Sequence, residues 1–126
     1  MTSRRASRRT ALELLYQWDL TGQPLTSLHE GEADAFALEL AEGVAARAGE
    51  LDERIGEASE GWPADRLGVV ERNVLRLGLF ELDLGDVPPE VALDEAVSLA
   101  KRYASEDAGR LVNGILGRIA REAQRK

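Results

Sequence analysis

The sequence predicts an all-α fold: one domain over residues 1–126, built as a compact bundle of five to seven helices. Three observations carry that reading. Apolar residues recur at spacings of three and four along most of the chain. Strand signals are nearly absent. Glycine and proline fall where they end and restart helices. At 126 residues the chain has the size of one domain. Such a chain buries about two-thirds of its unfolded surface, enough for a core without covalent staples.

The first helix starts at a cap, Ser3 or Thr2, and runs to about Leu20. At 100° per residue, Ala11, Leu14, Leu15 and Trp18 share the face that packs on the core. Arg4, Arg5, Arg8 and Arg9 fill the neighbouring arc, which is expected to stay outward and cationic. Gly22 and Pro24 end the helix. Ser27 and Glu30 have capping-box spacing. A longer helix follows from about Asp34, with Phe36, Leu40, Val44, Leu51, Ile55 and Ala58 on one side and a break expected near Gly49. Gly61, Trp62 and Pro63 mark a stop and restart, with Pro63 and Asp65 suited to a short helix.

From about Leu67 to Leu84, apolar residues appear on almost every side, as in a helix surrounded by others. Leu75 and Leu79 are expected in its buried centre, and Arg72 and Arg76 on its one exposed strip. Gly85 and Asp86 end it, and Pro88 and Pro89 suit the next start. Leu93, Ala96, Val97, Ala100 and Ala104 then trace one helix. Ser105, Glu106 and Asp107 offer acceptors to the N-terminus of the last, whose stripe is Leu111, Val112, Ile115, Leu116 and Ile119. Gly114 and Gly117 are expected at close helix contacts.

The net charge of −7 hides a strong asymmetry. The first ten residues hold four arginines and no acid. Residues 13–100 hold five basic and twenty acidic side chains, and residues 101–126 hold seven basic and three acidic. Local potential, not the mean, decides where a phosphate binds.

Enzyme chemistry finds no footing. With no cysteine, disulfides, thiolate catalysis and Cys-based zinc sites are excluded. His29, the only histidine, has no recognisable nucleophile or orienting partner and reads as a solvated loop residue. The pairs Asp52-Glu53, Asp94-Glu95 and Glu106-Asp107 point about 100° apart on a helix and make poor metal clamps. The last two pairs lie near helix starts, where acids oppose the dipole. The glycines assemble no P-loop or dinucleotide fingerprint. No catalytic residue, metal site or cofactor is therefore expected. No apolar run approaches the roughly 18 residues of a membrane span.

The arginine arc is the candidate functional feature. Four guanidiniums within about one and a half turns repel each other unless anions compensate them, and their forks match phosphate geometry. Lys101, Arg102, Tyr103 and Arg110 are candidates to converge on them. Cations with an aromatic nearby suit single-stranded RNA. A solvated face, a transit segment, and a membrane or other acidic partner are the competing readings.

Three segments resemble the NusB family of bacterial transcription antitermination factors. RRASRRTALELLYQWDL is similar to its basic first helix, with Arg8 and Ala11 in Arg-x-x-Ala spacing and Leu15-Tyr16 following. VERNVLRLGLFEL, from Val70 to Leu82, resembles its central helix. VPPEVALDEAVSLAK with LVNGIL resembles its C-terminal half. Residues 21–60 match only in being helical.

The resemblance implies two packed three-helix subbundles plus a short additional helix, and a cytoplasmic protein. It implies binding of boxA RNA together with NusE, the small-subunit ribosomal protein, within the RNA polymerase antitermination complex. Arg4, Arg5, Arg8 and Arg9 would contact RNA, and Asp107, in the acidic turn before the last helix, would lie near the same edge. Tyr16 and an outward Glu81 would face NusE. The chain departs from the family pattern at Leu111, where an aromatic is frequent, at Asp94 for Asn and at Gly117 for Asp. Family members occur as monomers or homodimers, and the sequence leaves both open. Two alternatives stand beside this: a helical interaction module with no RNA role, and an accessory domain like those preceding some RNA methyltransferases.

Overall fold

Helix α1 (Arg4–Thr21) opens a chain of seven helices in the computed structural model, which describes residues 3–28, 34–60 and 66–124. It is followed by α2 (Leu25–Leu28), α3 (Ala35–Ala46), α4 (Ala48–Ala58), α5 (Val69–Leu84), α6 (Pro89–Tyr103) and α7 (Glu106–Gln124), with no strand among the described residues. The Thr2 cap, His29, Glu30 of the capping box and the restart at residues 61–65 fall outside the described residues.

Local chemistry accounts for the boundaries. Ser3 caps α1, its hydroxyl accepting from the Ala6 N–H at 3.1 Å. Gly22 closes it in the left-handed region at φ 72°, where a side chain would be strained. Asp34 caps α3 through the Phe36 N–H. Pro88 and Pro89 start α6, and the Ser105 hydroxyl accepts from the Ala108 N–H at the start of α7.

Helix α5 is the hub. It packs against α1, α3, α4, α6 and α7. Helices α6 and α7 pair with each other and with α5, α1 and α3 pair on α5, and α2 lies against α1. Leu75 and Leu79 are wholly buried, as the periodicity requires, with Val74 and Leu77 beside them.

Close helix approach depends on other glycines than expected. At Gly78 a Cβ would press on Leu116 and Ala96, and at Gly43 it would overlap the Phe80 ring. Gly114 faces open space and Gly117 meets only the Arg121 side chain, so neither is a packing glycine. The helix break expected near Gly49 is present, two residues earlier at Arg47, and Gly49 itself sits inside α4. Arg47 holds the corner by donating to Glu50 at 3.0 and 2.8 Å and to Asp83 at 2.8 Å.

Arg72 and Arg76 were expected on an exposed strip of α5, and that expectation is corrected. Arg76 is buried and forks onto Asp52 with two bonds of 2.7 Å. It also reaches Asp19, which accepts from Arg72 at 2.8 Å and from Asn73 at 3.0 Å. The network joins α1, α4 and α5. Periodicity missed it because two arginines four apart look alike whether they face water or interior carboxylates. Burial pushes the Asp19 pKa up, but the donors from Arg72 and Asn73, with the charge of Arg76, bring it below the ordinary carboxylate value.

Two outcomes follow. Leu75→Ala and Leu79→Ala should each cost on the order of 2–5 kcal/mol in urea unfolding, from lost transfer energy plus a cavity. The stability contributed by Asp19 should be complete above about pH 4 and fade as pH falls through its lowered folded pKa. Asp19→Asn should therefore destabilise the protein at pH 7 and narrow the gap between variant and wild type in strong acid. Parallel unfolding of the two proteins at both pH values would contradict the network.

Candidate nucleic-acid interface

The first turns of α1 carry the arginine arc, but the four residues divide. Arg4 is exposed and stacks over the Phe36 ring, 4.7 Å from its centroid. Arg5 is exposed and binds Glu95 of α6 through bonds of 2.9 and 3.3 Å. That contact raises the Arg5 pKa. Arg9 is partly exposed and makes no salt bridge among the described residues.

Arg8 corrects the expectation of an outward arc. It is 4% exposed, and its guanidinium forks onto Glu81 of α5 at 2.7 and 2.9 Å. Glu95 stands 3.9 Å from the same guanidinium. Glu81 was expected to face outward and is 5% exposed. The reason is geometric. Glu81 lies on the part of α5 that α1 covers, and a carboxylate there cannot be buried without a cation. Hydrogen bonding to Glu81 raises the Arg8 pKa against the opposing effect of burial. Sequence reasoning placed both residues in function; their pairing with each other, across 73 positions, left no sequence signal.

The C-terminal candidates occupy an adjacent edge. Lys101 and Arg102 lie in the last turn of α6, six and seven residues beyond Glu95, so their Cα atoms stand about 9–10 Å further along the axis. Lys101 packs over Gly109 and reaches Glu106 at 3.9 Å. Arg102 lies against the Tyr103 ring. Asp107 and Arg110 pair with each other on the first turn of α7. Among the described residues the α1 arginines meet α6 through Glu95, and Lys101, Arg102 and Arg110 make their ion pairs and ring contacts elsewhere, so the two basic groups do not form one cluster.

Tyr16 is 41% exposed, further down α1. With Leu12, Glu13, Gln17, Val70 and Tyr103 it lines a shallow depression of about 320 Å3. Tyr103, one of the residues expected to converge on α1, thereby meets it beside Tyr16. Among the described residues no group of His, Asp and Glu side chains is arranged to hold a metal ion. No described helix is long and apolar enough to cross a membrane.

The Arg8–Glu81 pair gives a direct test. Arg8→Ala or Glu81→Ala should cost about 3–5 kcal/mol, because each strands a buried charge. Glu81→Lys should be at least as harmful, setting two cations together. The double change Arg8→Met with Glu81→Leu should recover much of the loss. Chemical denaturation of the single and double variants checks this; equal costs for Arg8→Ala and an exposed Arg4→Ala would refute it.

Comparison with known proteins agrees with the geometry. The NusB family model matches residues 5–121. The transcription antitermination protein NusB of Saccharopolyspora erythraea is 42% identical over 95% of this chain and 88% of its own length. The solved structure of NusB from T. maritima superposes with a TM-score of 0.86 at 37% identity, covering 96% of this chain and 92% of that one. A structure of antitermination factors NusB and NusE in complex with dsRNA superposes at 0.83 and 36% identity, covering 94% and 96%. With the three matching segments now placed on α1, α5 and α6–α7, and the match spanning nearly every helix, this chain belongs to the NusB family.

Proposed function

We propose that this protein is a transcription antitermination factor that binds boxA RNA together with NusE and works in the RNA polymerase antitermination complex of the cytoplasm. The observation that carries the reading is the exposed cationic turn of α1 on a chain so similar to a NusB that is in complex with NusE and dsRNA. Arg4, Arg5 and Arg9 are the phosphate contacts of that turn. Lys101, Arg102 and Arg110 extend them along the α6–α7 edge, and Asp107 aims Arg110 and limits which base edges fit beside it. Phosphates supply sequence-independent affinity, so this edge contributes strength more than discrimination.

The buried pair changes two roles. Arg8 acts as the support of the arginine turn, and Glu81 as its anchor on α5. Tyr16 and Tyr103 form the exposed part of the NusE-facing surface. A carboxylate tied by two bonds to Arg8 meets a partner's cation only if that fork opens, so Tyr16 carries the direct contact. The helical interaction module without RNA is the second reading, favoured by one observation: Arg5 and Arg8 already have carboxylate partners.

Fluorescence anisotropy with boxA RNA, with and without NusE, separates the two. Arg4→Ala with Arg9→Ala should lower affinity and flatten the log–log salt slope by about 1.4, at roughly 0.7 per lost single-strand contact. Far-UV circular dichroism should not change. Tyr16→Ala should leave binding of RNA alone intact and weaken the gain that NusE provides. Wild-type affinity and slope in the arginine double variant would leave the interaction-module reading.

A further inference from the structure

Glu95 stands between two arginines of α1 and is bound unequally to them. It lies on the flank of the α6 face whose Ala92, Ala96 and Leu99 are buried, which points it at the first turns of α1. Its carboxylate accepts from Arg5 Nε at 3.3 Å and from Arg5 Nη2 at 2.9 Å. The oxygen that takes the longer bond, Oε2, is 3.9 Å from Arg8 Nη1. The Glu95 side chain is 15% exposed and that of Arg5 is 74% exposed. The carboxylate is thus held by its surroundings, and the guanidinium has open water on its other side.

The two ion pairs of the arc therefore differ in what opening them costs. Arg8 and Glu81 are both buried, so parting them would strand two charges. Parting Arg5 from Glu95 strands neither. Arg5 passes into water or onto an anion, and Glu95 keeps the charge of Arg8 beside it. An ion pair with so exposed a member is weak. The Arg5 fork offers the same parallel donors to a carboxylate as to a phosphate, so Glu95 occupies the place that a phosphate would take.

We infer that Glu95 is an internal phosphate surrogate, which holds the Arg5 fork closed until RNA displaces it and so sets the affinity and salt response of the α1 turn. The inference rests on the RNA-binding function proposed above and names a residue that regulates it. A strand already held at Arg4 and Arg9 presents its next phosphate at high local concentration and opens the fork, whereas a stray anion does not. Arg5, neutralised beforehand, releases fewer counter-ions than a free arginine when it takes up that phosphate.

The test is fluorescence anisotropy with fluorescein-labelled boxA RNA over a range of salt, using the full chain. Glu95→Gln keeps the side-chain shape and removes the charge, and thermal unfolding checks that the fold is kept. It should bind RNA more tightly by about two- to five-fold, the range of an exposed ion pair, with a salt slope steeper by up to about 0.7. Asp94→Asn, which removes the same charge from the exposed neighbouring residue, should gain much less. In an Arg5→Ala background Glu95→Gln should change nothing. Arg5→Ala alone should flatten the wild-type slope by clearly less than the roughly 0.7 of a free contact. Unchanged or weaker RNA binding by Glu95→Gln overturns the inference, since Glu95 then positions Arg5 or leaves it another edge for phosphate. A gain that Asp94→Asn equals, or that survives Arg5→Ala, also overturns it, because net charge alone would account for it. Each of these outcomes leaves the proposed function standing. Absence of RNA binding by every one of these proteins, wild type included, removes the proposed function along with the inference.

Discussion

Helix α5 is packed against five other helices, so each side-chain polar group on its buried stretch from Asn73 to Glu81 must find its partner inside the protein. That requirement organises much of the molecule. Asn73 and Arg76 are buried and are satisfied by Asp19 of α1 and Asp52 of α4. Glu81, also buried, is satisfied by Arg8. Asp83, in the last turn of α5, takes bonds from Arg47 and Arg54 and secures the corner between α3 and α4. No buried side-chain nitrogen or oxygen lacks a partner among the described residues.

These bonds select an arrangement more than they add stability. A buried ion pair recovers its desolvation cost only with good geometry, and an apolar pair of similar volume is often as stable. Its value lies in what it forbids. Apolar packing alone would tolerate α1 rotated or slipped on α5 by part of a turn. A slip of that kind would separate Arg8 from Glu81 and Asp19 from Asn73 together, stranding charges at both ends of α1. The exposed arginines at the start of α1 are therefore held in register by contacts that never touch solvent.

Much of the architecture was legible in the sequence because it rests on local rules. The ends of α1 and α5, the proline start of α6 and the serine cap of α7 follow from residues within a turn of each boundary. Leu75 and Leu79 were legible because an all-round apolar helix has only one place in a bundle. What escaped was pairing between distant positions. Arg8 and Glu81, or Arg76 and Asp52, carry no mark of their partners, and a charged residue looks like a surface residue until its counter-ion is located. The packing roles of Gly43 and Gly78 were equally hidden, since they depend on where Phe80 and Leu116 arrive. For the candidate interface, the cationic first turn could be read directly, while the division of its arginines into exposed and buried could not.

The neutralisation of the paired arginines has a kinetic consequence. Arg8, Arg47, Arg54, Arg72 and Arg76 are each matched by nearby carboxylates and contribute little to the distant field. The field is left to surplus acids over the middle of the chain and to exposed cations at the start of α1 and along α7. Basic surface therefore persists locally despite the net charge of −7. A polyanion is drawn toward that surface and repelled where acids are in excess. Encounter is steered before any bond forms, and the association rate, more than the lifetime of the complex, should carry the ionic-strength dependence of that steering.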